Sequence, residues 1–596
     1  MTDRLFSRST KSFLGVSLWT WTALVIFVAL GVVANIHAYV GGLNSTLNGG
    51  VGGDGGQDPW FLAVVAHEFI HGNFSFFSST VNVPRGINLS NMTSMPLLGI
   101  LASPITLLVG PIATYNLLIS LCFTTAGLSM YFAARRFTDF APGALLAGLA
   151  YACSPYMVGE GLGHVFLLAT AVFPLWVVAV HEVLVRQKWS KRTAGAFFGI
   201  LIVAQAYIAI EPAVSAIMLS LAALLVLWLL AKKTRYQKAN YAVGATLWGA
   251  GIAAPFMAWF GYSYFLGKAH GAGDVRSAAS VRNLSAAVTS FIAPGSNQRV
   301  HFGFAHHADA IVNYGIKNIV ADPPENAAYI GIPLLILLLT GMWWLRRDHR
   351  VQLFSGLMGL SLLMSMGSFS RFGNSSTSVP LPFWVFSHLP VLKSTIAIRW
   401  NLFTWLFLSF LLAIILGEVA QLVRRKGLRS TRLVVVATSA LTALSVVSLI
   451  PALPYGASPA YVPPYFTSSA LDALPTSSVM VTYPLAVGGA PLPMLWQAVG
   501  KFHFHLLGGE VGSQAMKLGA TRTVFDSCLT STSLTPDMVA LIPEVRSEFS
   551  TWGVTNAALP MGYAPNETCG EEIFNDVFQT KPTLVDGTYV WSTTQG

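Results

Sequence analysis

The sequence predicts an α-helical polytopic membrane protein that ends in an α/β domain outside the membrane. Of its 596 residues, 54% are hydrophobic and only 10% are charged, whereas soluble proteins carry about 25% charged residues. Several apolar stretches are long enough to cross a bilayer as a helix, which takes about 17–25 residues. The short connectors between these stretches carry clusters of Lys and Arg, a pattern typical of cytoplasmic loops.

The apolar segments predict about eleven spanning helices within a transmembrane domain over residues 1–455. The first segment is too long for a cleavable signal peptide. Residues 97–109 are apolar but too short to span, and Pro104 lies in their middle, so they favour an interfacial or re-entrant piece. The eleven segments are 15–38, 111–132, 141–158, 165–185, 194–210, 213–231, 241–263, 328–345, 351–367, 401–421 and 433–453.

The net charge of +10 indicates membrane topology rather than binding to nucleic acid, because the basic clusters lie at alternate ends of the predicted helices. If these clusters face the cytoplasm, the N-terminus is cytoplasmic and the C-terminal domain lies outside the plasma membrane. The long loops 39–96, 264–327 and 368–400 then lie on the outer side. The clusters are Arg4/Arg8/Lys11, Arg135/Arg136, Arg186/Lys188/Lys191/Arg192, Lys232/Lys233/Arg235/Lys238, Arg346/Arg347/Arg350 and Arg424/Arg425/Lys426/Arg429/Arg432.

Residues 456–596 are predicted to form the extracytoplasmic α/β domain. They begin with a Pro-rich linker and contain short β-like runs such as "SSVMVTYPL" and "TYVWST", separated by helical stretches. Cys528 and Cys569 both lie in this tail, and an extracytoplasmic pair can form a disulfide. Cys122 and Cys153 lie within predicted helices and are interpreted as core residues.

The segment His67-Glu68-Phe69-Ile70-His71 matches the H-E-x-x-H pattern of zinc proteases. On a helix, its two imidazoles would share one face and the carboxylate would polarise water. No third ligand is found in a recognisable setting, so a membrane zinc metalloprotease is the weaker hypothesis. The alternative is an interfacial amphipathic helix, with an apolar face toward lipid and the polar side chains toward water. That apolar face would consist of Trp60, Phe61, Val64, Val65, Phe69 and Ile70.

Asp54 and Asp58 lie just before this motif, in the glycine-rich run "GGDGGQDP". A carboxylate in a loop that folds over the membrane surface could act as a general base toward an attacking hydroxyl. Two neighbouring carboxylates could also hold a divalent cation such as Mg²⁺ or Mn²⁺ on a phosphate. A solvated acidic loop explains the same spacing, and the sequence leaves this choice open.

Further ionisable residues lie at the outer ends of predicted helices, where such groups are costly and usually functional. They would surround one outer cavity if the helices form a bundle. On that face neither ATP nor a nucleotide sugar is available, so a transferase would need a donor carried in the membrane. The residues are Glu160, His164, Glu211, Glu325, Lys393 and Arg399, with His71 from the first loop.

Six segments, in this order along the chain, resemble bacterial membrane proteins of the GT-C glycosyltransferase superfamily. They are the loop beginning "QDPWFLAVVAHEFIHGN", "SPYMVGEGLGHVFLL", the hairpin at Glu211, "ENAAYIGIP", "LPFWVFSHLPVLKSTIAIRWNLF" and "MLWQAVGKFHFHLLGGE". The resemblance implies a GT-C-like fold and a glycosyltransferase that uses a polyprenyl-phosphate sugar. It also implies that the histidines of "HEFIH" belong to an ordinary loop.

The resemblance further implies roles for individual residues. The catalytic acid of this superfamily typically follows the first helix, which matches Asp58 best and Asp54 second. Arg399 would bind the donor phosphate, since a guanidinium offers paired donors and stays charged, and His164 could assist. Glu160 departs from the pattern, in which His is commoner. The aspartate spacing departs from the tight Asp-Asp pairs of other members, which leaves metal use open.

The leading hypothesis is therefore inverting sugar transfer from a lipid carrier to an envelope glycan, lipid or protein. A transporter or flippase for lipid-linked sugars is the main alternative, although no internal repeat of the kind found in transporters is seen. A scaffold that binds envelope polymer is the third. In the tail, Trp496, Gln497, His503 and His505 could contact the acceptor, and core packing explains them equally well.

Overall fold

The computed structural model contains long apolar helices and one mixed β-sheet, in a chain that divides into two units. It describes residues 17–50, 54–230, 235–270, 284–301, 328–372, 375–389, 392–393, 395–487 and 490–593. The first unit comprises the described residues within Met1–Ile36, Leu118–Phe256 and Arg276–Tyr455. The second comprises those within His37–Leu117, Met257–Val275 and Gly456–Gly596. The predicted domain boundary at residue 455 stays a prediction.

Every one of the eleven predicted apolar segments overlaps a helix. Among the described residues, six helices are long and apolar enough to cross a membrane: Pro111–Ala134, Val165–Arg186, Ile210–Leu229, Ala239–Leu266, Ala397–Lys426 and Leu428–Ser448. The predicted count of eleven spans is therefore not confirmed. The helices that overlap the predicted segments are, in chain order, Leu18–Ala34, Pro111–Ala134, Ala141–Ala152, Val172–His181, Lys191–Ile208, Ile210–Leu230, Arg235–Leu266, Ile332–Trp344, His349–Ser365, Asn401–Lys426 and Leu428–Ser448.

The helix Asn401–Lys426 lies at the centre of the first unit. Its residues are buried without interruption from Asn401 to Gly417, as expected for a helix that is apolar on all sides. It ends in Arg424, Arg425 and Lys426, before Gly427 at φ 79°. Cations near a helix C-terminus interact favourably with its dipole, so the basic cluster also suits the end of this helix.

Small residues let two other helices of the first unit pack backbone against backbone. Gly195 and Gly199 lie on Lys191–Ile208, and Gly249 lies on Arg235–Leu266. A Cβ added at Gly199 would collide with the Gly249 carbonyl oxygen. This close approach is the packing that small residues allow between membrane helices, and a larger residue at Gly199 would separate the pair.

The second unit contains a five-stranded sheet. Its strands lie in the order Thr583–Val585, Thr588–Ser592, Asn556–Pro560, Val479–Thr482 and His505–Leu506. Val479–Thr482 pairs in parallel with both of its neighbours, and the remaining pairs are antiparallel. The helices Gly519–Cys528, Pro536–Trp552 and Glu567–Phe578 cover an apolar core beside it. A disulfide joins Cys528 to Cys569 across this core.

The loop after the first long helix belongs to the second unit. Its strand Thr46–Asn48 pairs antiparallel with Ala457–Pro459 at the start of the tail. It continues into the helices Asp54–Ile70 and Pro96–Val109, which pack on each other. The helix Leu492–Val499 of the tail packs on Asp54–Ile70 as well. Residues 97–109 lie in the short helix Pro96–Val109, and their interfacial or re-entrant position stays a prediction.

The interfacial-helix interpretation of residues 60–70 is wrong for most of its apolar face. Trp60, Phe61 and Val64 have no exposed surface and Val65 is 7% exposed, because the neighbouring helices cover them. Only Phe69 at 37% and Ile70 at 53% remain exposed. The hydrophobic side of Asp54–Ile70 thus packs within the protein.

Candidate active site

Asp54 and Asp58 lie on the first two turns of the helix Asp54–Ile70 rather than in an open loop. Their spacing of four residues places both carboxylates on the same side of this helix. Asp58 is completely buried. Acidic side chains near a helix N-terminus are stabilised by the helix dipole. The solvated-loop interpretation is therefore wrong for Asp58, whose burial instead suits a carboxylate with a specific role.

The surroundings of these carboxylates are closely packed. Tyr115 is fully buried, lies within electrostatic range of Asp58 and Asp54, and donates a hydrogen bond to the Asn48 carbonyl at 3.1 Å. A Cβ added at Gly55 would come within 2.6 Å of the Gly50 carbonyl oxygen. Gly55 therefore allows the segment at Gly50 to pack closely against the helix Asp54–Ile70. Tyr115 was not predicted, since it lies in an apolar span remote in sequence.

A hydrogen-bonded bridge fixes the next turn of the helix to the tail. The Trp60 indole donates to Gln497 Oε1 at 2.9 Å, and Gln497 Nε2 donates to the carbonyls of Thr80 at 2.6 Å and Phe504 at 2.8 Å. Gln497 and Trp496 have no exposed surface. Of the two explanations that the sequence left open for these residues, core packing is the one that fits.

The H-E-x-x-H segment is organised by ring packing and backbone hydrogen bonds. The His67 and His71 rings lie 4.3 Å apart, and His71 Nδ1 is 2.7 Å from the His67 carbonyl oxygen. Glu68 accepts a hydrogen bond from Asn73 Nδ2 at 2.6 Å. The part of the chain that the structure describes has no group of three or more His, Cys, Asp or Glu suited to a metal ion.

In the first unit the structure brings together two residues that are 188 positions apart in sequence. Arg399 donates from its guanidinium to Glu211 Oε2 at 2.9 Å, and Glu211 Oε1 accepts from the backbone N–H of Ile396 at 2.9 Å. Glu211 lies in the first turn of Ile210–Leu230, and Arg399 lies in the 3₁₀ turn Ala397–Trp400 that leads into Asn401–Lys426. Their side chains are 26% and 11% exposed, so this ion pair is largely withdrawn from bulk water.

Glu160 and His164 form a second pair, one helical turn apart as their spacing suggested. His164 Nδ1 lies 2.6 Å from Glu160 Oε2. Glu160 is 1% exposed and ends the short helix Pro155–Glu160. The buried Glu160 carboxylate thus fixes the orientation of the His164 ring through this hydrogen bond.

The remaining candidates differ in their settings. Lys393 is exposed, and Glu325 lies outside the described residues. Arg371 was not predicted, and it is only 6% exposed in the strand Phe369–Phe372. A single Arg in the run "GSFSRFGNSS" was the available signal, but its burial depends on how the strand packs.

An apolar cavity lies between four helices of the first unit: Val172–His181, Ile210–Leu230, His349–Ser365 and Asn401–Lys426. Its volume is about 130 Å³. Its lining begins at Ala216 and Phe403, about one helical turn beyond Glu211 and Arg399 at 1.5 Å per residue. Its lining also includes His181, His349 and Arg350, which lie next to basic connectors.

Comparisons with known proteins give a family and a fold. The chain resembles the cryo-EM structure of the arabinofuranosyltransferase AftD from Mycobacteria at 13% identity, with a TM-score of 0.50. The match covers 97% of this chain and 40% of the AftD chain. This likeness shows that the chain shares the fold of the matched part of AftD. Because the chain spans less than half of AftD, activity does not follow from the match.

Two further solved structures are similar at lower scores. The apo oligosaccharyltransferase of Archaeoglobus fulgidus matches at 12% identity and a TM-score of 0.47, over 91% of this chain and 69% of that one. ArnT from Cupriavidus metallidurans in the apo state matches at 13% identity and a TM-score of 0.41, over 96% and 98% of the two chains. No curated protein matches the sequence. A family model described as "Domain of unknown function (DUF6311)" matches residues 28–449, which is more than half of the chain, and the protein therefore belongs to this family.

Proposed function

We propose that this protein is a membrane glycosyltransferase that moves a sugar from a polyprenyl-phosphate donor to an extracytoplasmic envelope glycan, lipid or protein. The observation that carries the proposal is the position of Arg399 beside the apolar cavity. A prenyl phosphate combines a long apolar chain with an anionic head. Here the Arg399 guanidinium lies about one helical turn from Phe403, which lines the apolar cavity.

The cavity suits the apolar chain of such a donor because of its lining and because of the helices that form it. Its walls are almost entirely apolar, and three of its four helices belong to candidate membrane spans. An apolar chain gains about 0.8 kcal/mol for each CH₂ group that it buries. The cavity would thus hold a part of the lipid tail, with the phosphate at Arg399.

The guanidinium of Arg399 suits the phosphate. It remains charged at all accessible pH values and can bind two phosphate oxygens at once. Its present partner is the carboxylate of Glu211, an anion that the phosphate would replace or share. During transfer the bond from the anomeric carbon to the phosphate oxygen breaks, and Arg399 would stabilise the charge that collects on the leaving prenyl phosphate.

Asp58 is proposed as the general base, with Asp54 as the second candidate. The acceptor hydroxyl oxygen attacks the anomeric carbon from the face opposite the phosphate, and the configuration inverts. Its proton passes to the Asp58 carboxylate. A buried carboxylate on a helix held by the Trp60–Gln497 bridge would keep a fixed position toward such a hydroxyl. Orientation of this kind accounts for much of the catalysis in group transfer.

The test uses the full chain in lipid nanodiscs and in proteoliposomes, with a radiolabelled polyprenyl-phosphate sugar. The proposal predicts that label appears on an envelope glycan acceptor, and that Arg399→Gln and Asp58→Asn each reduce this transfer. Label that only changes leaflet would identify a flippase and overturn the proposal. If both variants retain full transfer activity, Arg399 and Asp58 do not have the proposed roles in the mechanism.

A further inference from the structure

The two histidines of the H-E-x-x-H segment belong to a ring cluster that the proposed chemistry does not use. His67 lies between His71, at a centroid distance of 4.3 Å, and Phe502, at 4.8 Å. Phe502 also meets Trp60 edge to face at 6.1 Å. His71 is exposed, while His67 and Phe502 are half-buried. Three rings thus form a continuous aromatic surface, the ring platform, on the second unit.

The backbone that carries Phe502 is held in an unfavourable conformation. Lys501 and Phe502 have φ angles of 54° and 58°, in the left-handed region that glycine normally occupies. Each such residue costs about 1–3 kcal/mol, and such residues cluster at ligand sites. The backbone N–H of Phe502 donates to the Gln497 carbonyl at 3.0 Å. The tail therefore maintains the turn that presents this ring to His67.

The imidazoles offer hydrogen-bond acceptors beside the ring faces. His71 Nδ1 lies 2.7 Å from the His67 carbonyl oxygen, and His505 Nδ1 lies 2.9 Å from the Ser79 carbonyl oxygen. A carbonyl can only accept, so each Nδ1 carries the hydrogen and Nε2 of the neutral ring holds a lone pair. Burial, together with the His71 and His505 imidazoles, lowers the pKa of His67 to about 4. His67 is consequently neutral at physiological pH.

Aromatic ring faces beside acceptor nitrogens suit one class of ligand. Aromatic faces carry a negative quadrupole, and the polarised C–H groups of a sugar ring pack against them. Sugar hydroxyls donate to imidazole nitrogens. A metal site is not favoured, because the described residues hold no cluster of three metal-type ligands. We infer that the ring platform of His67, His71 and Phe502 binds a neutral sugar unit of the glycan acceptor.

The role as acceptor subsite rests on the proposed transferase function, but binding itself can be measured without a donor. The full chain in nanodiscs would be titrated with neutral oligosaccharides of arabinan, galactan, mannan and glucan, and followed by saturation-transfer NMR. We expect at least one of these glycans to bind. Phe502→Leu keeps an apolar side chain but removes the ring face, and should weaken that binding about tenfold. Phe69 is an exposed residue on the same helix as His67 and lies outside the ring platform. Phe69→Leu should therefore leave binding unchanged.

A pair of substitutions at His71 separates recognition from folding. His71→Gln places an amide near the position of Nε2, and His71→Asn places one near Nδ1, so that only the first retains the acceptor. We expect Gln to bind glycan close to the wild type and Asn to bind several-fold more weakly, at equal thermal stability. Failure of every glycan to bind the wild type, or equal binding by both His71 variants, would overturn the inference. If glycan binds as expected but no sugar is transferred, the failure lies in the proposed transferase function alone.

Discussion

The Glu211 carboxylate accepts a hydrogen bond from the Arg399 guanidinium at 2.9 Å and a second from the backbone N–H of Ile396, also at 2.9 Å. One acidic side chain thus fixes both the cation and the turn that carries it. This pair lies at the N-terminal ends of the helices Ile210–Leu230 and Asn401–Lys426, about one turn from the apolar cavity between them. An anion that competes with Glu211 for Arg399 would lie about one helical turn from that cavity.

Arg399→Gln should raise the KM for a polyprenyl-phosphate sugar by about 10–100-fold. A hydrogen bond to a charged group contributes about 1.5–3 kcal/mol, and each 1.4 kcal/mol corresponds to a factor of ten. Arg399→Lys should restore only part of the loss, because an ammonium cannot bind two oxygens in a fork. Initial rates at varied donor concentration measure the effect. Lys393→Gln removes one exposed positive charge from the same segment and serves as the control.

Glu211→Gln should lower the KM for the donor by about threefold. The amide removes the negative charge that competes with the phosphate, and its oxygen can still accept from the Ile396 N–H. Asp526→Asn removes a carboxylate from another ion pair, 3.2 Å from Arg522, and should leave donor KM unchanged. A donor KM that rises in Glu211→Gln would show that Glu211 positions Arg399 rather than competing with the substrate.

Ala223→Phe should weaken binding of a long-chain donor but not of a short-chain analogue. Ala223 is 5% exposed and lines the cavity, so a phenyl ring there would occupy the space proposed for the lipid tail. The affinities of the C55 and a C10 prenyl-phosphate sugar would be compared in nanodiscs. Leu224→Phe, on the 47% exposed neighbour, adds a ring outside the cavity. Equal loss for both donors would argue against a tail in this cavity.

The positions of the long helices could be predicted from the sequence because a membrane helix is encoded by the local run of apolar residues. The pairing of Glu211 with Arg399 is instead a tertiary contact. Sequence could identify both residues as ionisable groups near helix ends, but not that they meet. Their separation in the chain exceeds the range of any local pattern, and only the packing of the helices brings them together.

Burial could not be predicted for the same reason. The run from Trp60 to Val65 has the composition of an interfacial helix, yet the helices Pro96–Val109 and Leu492–Val499 cover it. Asp58 follows a glycine-rich run that reads as a flexible loop, yet it is fully buried on a helix. The local sequence around Tyr115 and Arg371 did not indicate that either side chain is buried. In each case the environment is supplied by segments remote in the sequence.

Asp58→Asn should reduce sugar transfer by a factor of about 10²–10⁴, which is the usual contribution of a general base. Asparagine keeps the size of the side chain but cannot take a proton from the acceptor hydroxyl. Donor affinity should stay within about twofold of the wild type, because the phosphate is assigned to Arg399. Asp54→Asn, one turn away, should have a smaller effect on transfer. Full transfer by Asp58→Asn with loss in Asp54→Asn would reassign the base to Asp54.

His67 should make the protein less stable as the pH falls from about 6.5 to about 4. The pKa of His67 is about 4 in the folded chain and about 6.5 in an unfolded one. Within this interval the unfolded chain binds the proton more strongly, so protonation favours unfolding. Above and below it, the contribution of His67 to stability no longer changes with pH. His67→Gln should therefore give a shallower fall in Tm between pH 6.5 and 4, measured on the full chain in detergent. His270→Gln removes an exposed imidazole of the same unit and is the control. If the slope of Tm against pH is unchanged in His67→Gln, His67 is not held neutral by the fold.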